Sequence, residues 1–137
     1  MSMLQEMRPD GDLLRVRATG EFSLEDAKRN FLEMMEAVAI HSSKRVLVDG
    51  QAITGNLRAI ERFYYGEFTA EAVSEHQARS ASGPIRFAYV LKEPVLDPKR
   101  FGETVAVNRG MLIRVFDNPE EALQWLQIPS ADNPDDR

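Results

Sequence analysis

Three short apolar runs, Val46-Leu47-Val48, Ile85 to Leu91 (IRFAYVL) and Met111 to Phe116, alternate with segments whose apolar residues recur at helical spacing. No other feature constrains the fold so strongly. The uninterrupted run Val46 to Val48 reads as a central strand of a parallel sheet, buried on both faces, and the other two, each holding one arginine, read as further strands. Strands separated by helix-length segments pair in parallel, because only a crossover long enough to hold a helix returns the chain to the same end of the sheet. Such crossovers are right-handed. The predicted class is therefore α/β, with a mostly parallel sheet and helices packed over it.

The beginning of the chain departs from this pattern. Met3 to Met7 and Leu13 to Thr19 are short alternating runs, and Pro9-Asp10-Gly11-Asp12 between them is a turn signal, which predicts an N-terminal β-hairpin. In the second run Leu14, Val16 and Ala18 oppose Arg15, Arg17 and Thr19, so one face is wet or near an edge. A helix is then expected from Leu24 to Val38. Ser23 is its cap, and Glu25 and Asp26 lie at its positive end. Leu24, Ala27, Phe31, Met35 and Val38 form its apolar stripe. Met34 and Met35 read as gap-filling core.

A second helix is expected from Leu57 to about Tyr65, broken at Gly66, with a further stretch from Thr69 to about Arg79 and a breaker cluster from Ser80 to Pro84. Pro94 and Pro98 bound a loop. Lys99 to Arg109 reads as a helix with Phe101, Val105 and Thr104 facing inward and Asn108-Arg109-Gly110 as its end. Asn118-Pro119-Glu120-Glu121 opens a last helix, whose apolar side includes Ala122, Leu123, Trp125 and Leu126. Trp125 is expected to be buried.

Composition narrows the function. The 137 residues suffice for one core without metal or disulfides, and 43% hydrophobic with 28% charged residues is a globular balance. Residues 1–128 read as one domain and 129–137 as a frayed acidic tail. No run approaches the roughly 20 apolar residues of a membrane span. The N-terminus lacks an apolar signal core, so a cytoplasmic protein is expected. With no cysteine there is no disulfide, thiolate nucleophile or cysteine zinc site. The net charge of −5 and the absence of a Lys/Arg cluster argue against nucleic acid as a partner.

The candidate site lies at RVLVDGQAITGNLRAIER, residues 45–62. Asp49 is expected at the carboxyl end of a central strand, where ligands of open α/β sheets gather. Thr54, Gly55 and Asn56 lead into a helix N-terminus that favours an anion, and Arg58 and Arg62 lie one turn apart on that helix. The spacing is not that of a P-loop. A plain structural reading fits equally: Asn56 caps the helix, Gly55 permits a turn, and the arginines form a solvated face with Glu61. Phe63, Tyr64, Tyr65 and Phe68 are the densest aromatic group; they pack the sheet, or line a pocket or a contact with another chain. His41 and His76 are 35 residues apart and make neither a metal pair nor a visible catalytic triad. Glu67, Glu71 and Glu75 line one solvated face. No cofactor or metal is implied.

The segment RFGETVAVNRGMLIRVFDNPEEALQWL, residues 100–126, resembles the C-terminal part of the SpoIIAA-like proteins, a bacterial group related to STAS and Sec14-type domains. VLVDGQAITGN, residues 46–56, and RFYYGEF, residues 62–68, are similar to one branch of that group. The resemblance implies a SpoIIAA-like mixed sheet of four to five strands. STAS proteins that act as anti-anti-sigma factors carry a phosphorylatable Ser at the start of the helix after a central strand. The matching residues here, Ile53-Thr54-Gly55-Asn56, include no serine, and Thr54 is the only hydroxyl. The Sec14 kinship implies a lipid or small apolar ligand.

The expected function is a non-enzymatic regulatory or protein-interaction module. Its partner is an unidentified protein or a second copy of the chain, met by the Asp49–Arg58 loop and the aromatic helix. The alternative is a binder of a small apolar or anionic molecule beneath the Phe63–Phe68 helix, with Gly66 as a hinge. A cavity left beneath those rings separates the two.

Overall fold

The computed structural model describes residues 3–80 and 83–127. The expected acidic tail at 129–137 lies outside the described residues. Strands β1 (Leu4–Asp10) and β2 (Leu13–Glu21) form the antiparallel hairpin, turning at Gly11, whose φ of +63° glycine tolerates without strain. The remaining elements are α1 (Leu24–His41), β3 (Arg45–Thr54), α2 (Ala59–Arg79), β4 (Arg86–Val90), α3 (Phe101–Asn108), β5 (Leu112–Phe116) and α4 (Pro119–Leu126). Sheet order follows chain order, β1-β2-β3-β4-β5, and every pair after the first is parallel.

Register and side-chain alternation fix the two faces. Leu14, Val46, Phe87 and Ile113 stand side by side across four strands and point into the core with Phe31, Met34, Met35 and Val38 of α1. The alternate residues Leu13, Leu47, Ala88 and Val90 point to the opposite face, where α4 covers them with Ala122 and Leu126. Each parallel connection steps to the next strand in the same direction, so right-handed crossovers place α1, α2 and α3 together on one face. α4 follows the last strand and closes the other.

The caps at Ser23 and Asn118 form as read. Ser23 Oγ accepts the Asp26 N–H at 3.3 Å, and Asn118 Oδ1 accepts the Glu120 N–H at 2.8 Å. Several expectations fail. β3 does not end near Asp49 but runs to Thr54, because β2 extends beside it to Glu21 after a register shift between Arg17 and Thr19. Asn56 does not cap α2. Arg58 stands at the cap position, and its N–H donates to Glu61 Oε1 at 2.8 Å.

Gly66 does not break α2, which is continuous over 21 residues. It is the site where α3 crosses: a Cβ there would lie 2.6 Å from the Gly102 carbonyl oxygen and 3.3 Å from Val105 Cβ. α3 begins at Phe101 rather than Lys99, because Arg100 adopts a left-handed conformation. Phe101 and Thr104 face solvent, while Val105 and Ala106 are the buried residues of that helix. Trp125 is half-buried, lying against Phe116 at 6.1 Å and under the Arg86 guanidinium at 5.6 Å.

Candidate functional site

The four parallel strands present their carboxyl ends at one edge of the sheet, beneath α2 and α3, and a partly open cavity of about 120 Å³ lies there. Alternation in β3 sends Ile53 toward it and leaves Thr54 exposed. Leu57 from the following loop, Leu91 beyond β4 and Val115 of β5 add apolar wall. α2 contributes Tyr65 and Gly66, so the close helix crossing at Gly66 also shapes the cavity.

Residues 92–100 cover one flank. Val95 and Leu96 of this segment are buried against the cavity. Arg62, one turn into α2, holds the segment by donating from Nη1 to the Val95 carbonyl at 2.8 Å and from Nη2 to the Pro94 carbonyl at 2.9 Å. Asp97 accepts the N–H groups of Phe101 at 2.9 Å and Lys99 at 3.1 Å. The Phe101 bond first, opposed by partial burial and helped by the Lys99 bond, holds its carboxyl below the ordinary range. Arg100 donates to the Val115 carbonyl and lies 3.5 Å from Glu103, whose Oε1 accepts the Val115 N–H at 3.3 Å. Every rim charge is thus engaged with the chain itself.

Two tyrosines meet in the wall. The hydroxyls of Tyr65 and Tyr89 are 2.8 Å apart, with the rings edge to face at 6.4 Å. Burial pushes the Tyr65 hydroxyl up to about 12 and raises Tyr89 well above its ordinary 10.0. Both are O–H groups at neutral pH, and one donates to the other.

The residues singled out in the sequence fall in four places. Tyr65 lines the cavity. Thr54, Asn56 and Arg58 are exposed together around Gly55, whose φ is +119° and whose missing Cβ leaves room for Phe22. The Thr54 hydroxyl has only a long contact, 3.5 Å, to the Gly20 carbonyl. Asp49 lies within β3, half-buried, and its Oδ1 accepts both the N–H and the Nε2 of Gln51 at 3.1 Å. Phe63 and Tyr64 do not reach the cavity: Phe63 packs under Arg109 and beside Tyr64, which is 46% exposed. Arg58 and Arg62 do not converge on an anion, since Arg58 pairs with Glu61 at 3.5 Å and Arg62 is turned onto carbonyls.

His41 is exposed at the end of α1, His76 is half-buried in α2, and Glu67 pairs with Arg109 at 3.3 Å. Among the described residues no group of three His, Cys, Asp or Glu could hold a metal ion, and no helix is long and apolar enough to cross a membrane. Sequence reading missed Arg62 as a loop clamp and Tyr89 as the partner of Tyr65. The one available signal was the polar hydroxyl of Tyr89 within the otherwise apolar stretch Phe87 to Val90.

No family model matches the chain, and no curated protein does. Solved structures do. An anti-sigma factor antagonist from Mycobacterium paratuberculosis aligns with a TM-score of 0.56 at 14% identity, over 92% of this chain and 95% of that one. An uncharacterized protein of the DUF3478 family from Shewanella loihica PV-4, described as having a SpoIIAA-like fold, aligns with a TM-score of 0.51 at 16% identity, over 91% and 93%. This chain has the SpoIIAA-like fold. At these identities the likeness is one of architecture, and its five-stranded mixed sheet is the one the sequence resemblance implied. Within this SpoIIAA-like fold, Thr54 ends the central strand β3 at the surface, and its neighbours Ile53 and Leu57 line the cavity.

Proposed function

We propose that the chain is a non-enzymatic binding module that holds a small apolar molecule in the cavity beneath α2. The observation that carries this reading is the cavity itself: about 120 Å³ of space with almost wholly apolar walls, at the carboxyl ends of parallel strands. Apolar cavities of about 150 Å³ take up benzene, so this one matches a single ring or a short branched chain. The rim charges are spent on backbone groups and offer a charged ligand no counter-ion. Titration of ¹⁵N-labelled protein with toluene tests the reading. Amide shifts should be confined to residues around the cavity, and Ile53→Phe, which puts a larger side chain into the cavity wall, should abolish them. Shifts scattered over the surface, or none, contradict it.

A second reading rests on a different observation. Thr54, Asn56 and Arg58 are exposed together on the loop after the central strand, and one structural neighbour is named an anti-sigma factor antagonist. This supports a regulatory protein partner meeting that loop, with Thr54 as the hydroxyl open to phosphorylation. Alanine at Thr54 and Arg58 should weaken partner capture by a tagged chain; unchanged capture refutes a role for the loop.

A further inference from the structure

The tyrosine pair says more about the ligand than the volume does. When two hydroxyls bond to each other, one proton is used and the accepting hydroxyl keeps a second. Among the described residues neither hydroxyl makes a hydrogen bond other than the one they share. The other polar groups of the cavity wall are committed elsewhere. Arg62 is on the Pro94 and Val95 carbonyls, and Arg100 is on the Val115 carbonyl. The Thr69 hydroxyl donates to the Gly66 carbonyl at 3.1 Å. Asp97 and Glu103 accept backbone N–H groups. One donor therefore remains in an apolar enclosure.

An unsatisfied buried hydroxyl proton is costly, whereas a ligand oxygen that accepts it recovers that cost. An ionised ligand would lose its hydration against these walls without gaining a counter-charge. From this geometry we infer that the cavity selects a small, neutral, mainly apolar molecule bearing one hydrogen-bond acceptor, of the ketone, ester or ether class, with its oxygen on the Tyr65–Tyr89 pair. This rests on the cavity being the ligand site. Tyr89 is placed by β4 and Tyr65 by α2, so an occupant of this kind also ties the sheet to the helix above it.

The test compares two molecules of one shape, cyclohexanone and methylenecyclohexane, by ¹⁵N chemical-shift titration of the full chain. In an apolar cavity without a donor the alkene binds more tightly, because the ketone gives up more hydration. With the donor the ketone should win, by about five- to tenfold in Kd, the worth of one net hydrogen bond. In Tyr65→Phe/Tyr89→Phe the advantage should vanish or reverse while the alkene still binds. Both substitutions are needed, because removing one hydroxyl frees the other to donate. Should the double variant not fold, the ¹³C carbonyl shift of labelled cyclohexanone bound to the native chain decides: a downfield shift relative to hexane solution is expected. Alkene binding as tight as ketone binding to the native chain, or a carbonyl shift like that in hexane, overturns the assignment to the tyrosines and leaves the cavity site standing. Binding of neither molecule overturns both.

Discussion

Replacing Gly66 with Ala tests the packing that forms the cavity. The new Cβ would lie 2.6 Å from the Gly102 carbonyl oxygen, and both Val105 Cβ and Cγ1 would be at 3.3 Å. A carbon sits comfortably about 3.3 Å from a carbonyl oxygen, so the gap is about 0.7 Å too small. The obstructing atom is backbone, so α3 must move as a body. Overpacking costs about 1–3 kcal/mol, and displacing a whole helix falls in the upper part of that range, about 2–3 kcal/mol. Against it stands the helix preference of Ala over Gly, about 1 kcal/mol in α2. The clash should win, with a net loss of about 1–2 kcal/mol and a fall in Tm of about 3–8 °C. Gly102→Ala is the control. Its Cβ would meet the Arg62 carbonyl oxygen at 3.2 Å, a contact that small adjustments relieve at a cost offsetting the Ala preference at the start of α3, so its effect should be within about 0.5 kcal/mol of zero. Urea denaturation followed by circular dichroism measures both, and an unchanged slope would show that only the native state moved. A Gly66→Ala chain as stable as the parent refutes the close crossing of α2 and α3.

Three further outcomes follow from the geometry. Trp125→Ala should cost about 1–2.5 kcal/mol, less than a fully buried ring would, because the side chain is half-buried against Phe116 and Arg86; a loss above about 4 kcal/mol in the same urea assay would place it in the core. Arg62→Ala removes two bonds to the segment over the cavity and should destabilise the chain by about 1–3 kcal/mol, while hydrogen exchange accelerates at Leu96; unchanged exchange there refutes the clamp. Tyr65 and Tyr89 have folded-state values above the ordinary 10.0, so their contribution to stability is whole below that pH; the Tyr65 part is lost as pH rises through about 12 and the Tyr89 part only well above 10.0. Urea midpoints should therefore fall above pH 10.0 and fall less in Tyr65→Phe/Tyr89→Phe; identical alkaline profiles contradict their burial.

Elements whose local and long-range preferences agree were legible in the sequence. Val46-Leu47-Val48 and Phe87 to Val90 face apolar neighbours on both sides of the sheet, and their composition alone says so. Ser23 and Asn118 cap helices through their own side chains, a local interaction that sequence reading captures. Residues 49–54 were not legible as strand. Gly50 and Gln51 are poor strand formers, and only pairing with β2 keeps them extended. Gly50 is tolerated there because it is packed so closely that an added Cβ would be 2.7 Å from Leu91 Cδ2. Gly66 misled for a related reason: its value lies in what crosses over it, not in its helix propensity. The cavity could not be read at all. Ile53, Leu57, Tyr65, Tyr89, Leu91 and Leu96 come from separate segments, and only the parallel topology brings them to one end of the sheet.

The most direct measurement of the ligand-binding role is native mass spectrometry of the chain purified from its own host, followed by the same sample denatured. A small, non-covalent mass that is lost on denaturation, and that is missing from Ile53→Phe, is the expected result, and its composition should be neutral with a carbonyl or ether oxygen. A bare chain under native conditions contradicts the ligand role, and a covalent phosphoryl mass mapped to Thr54 would instead favour the protein-partner reading.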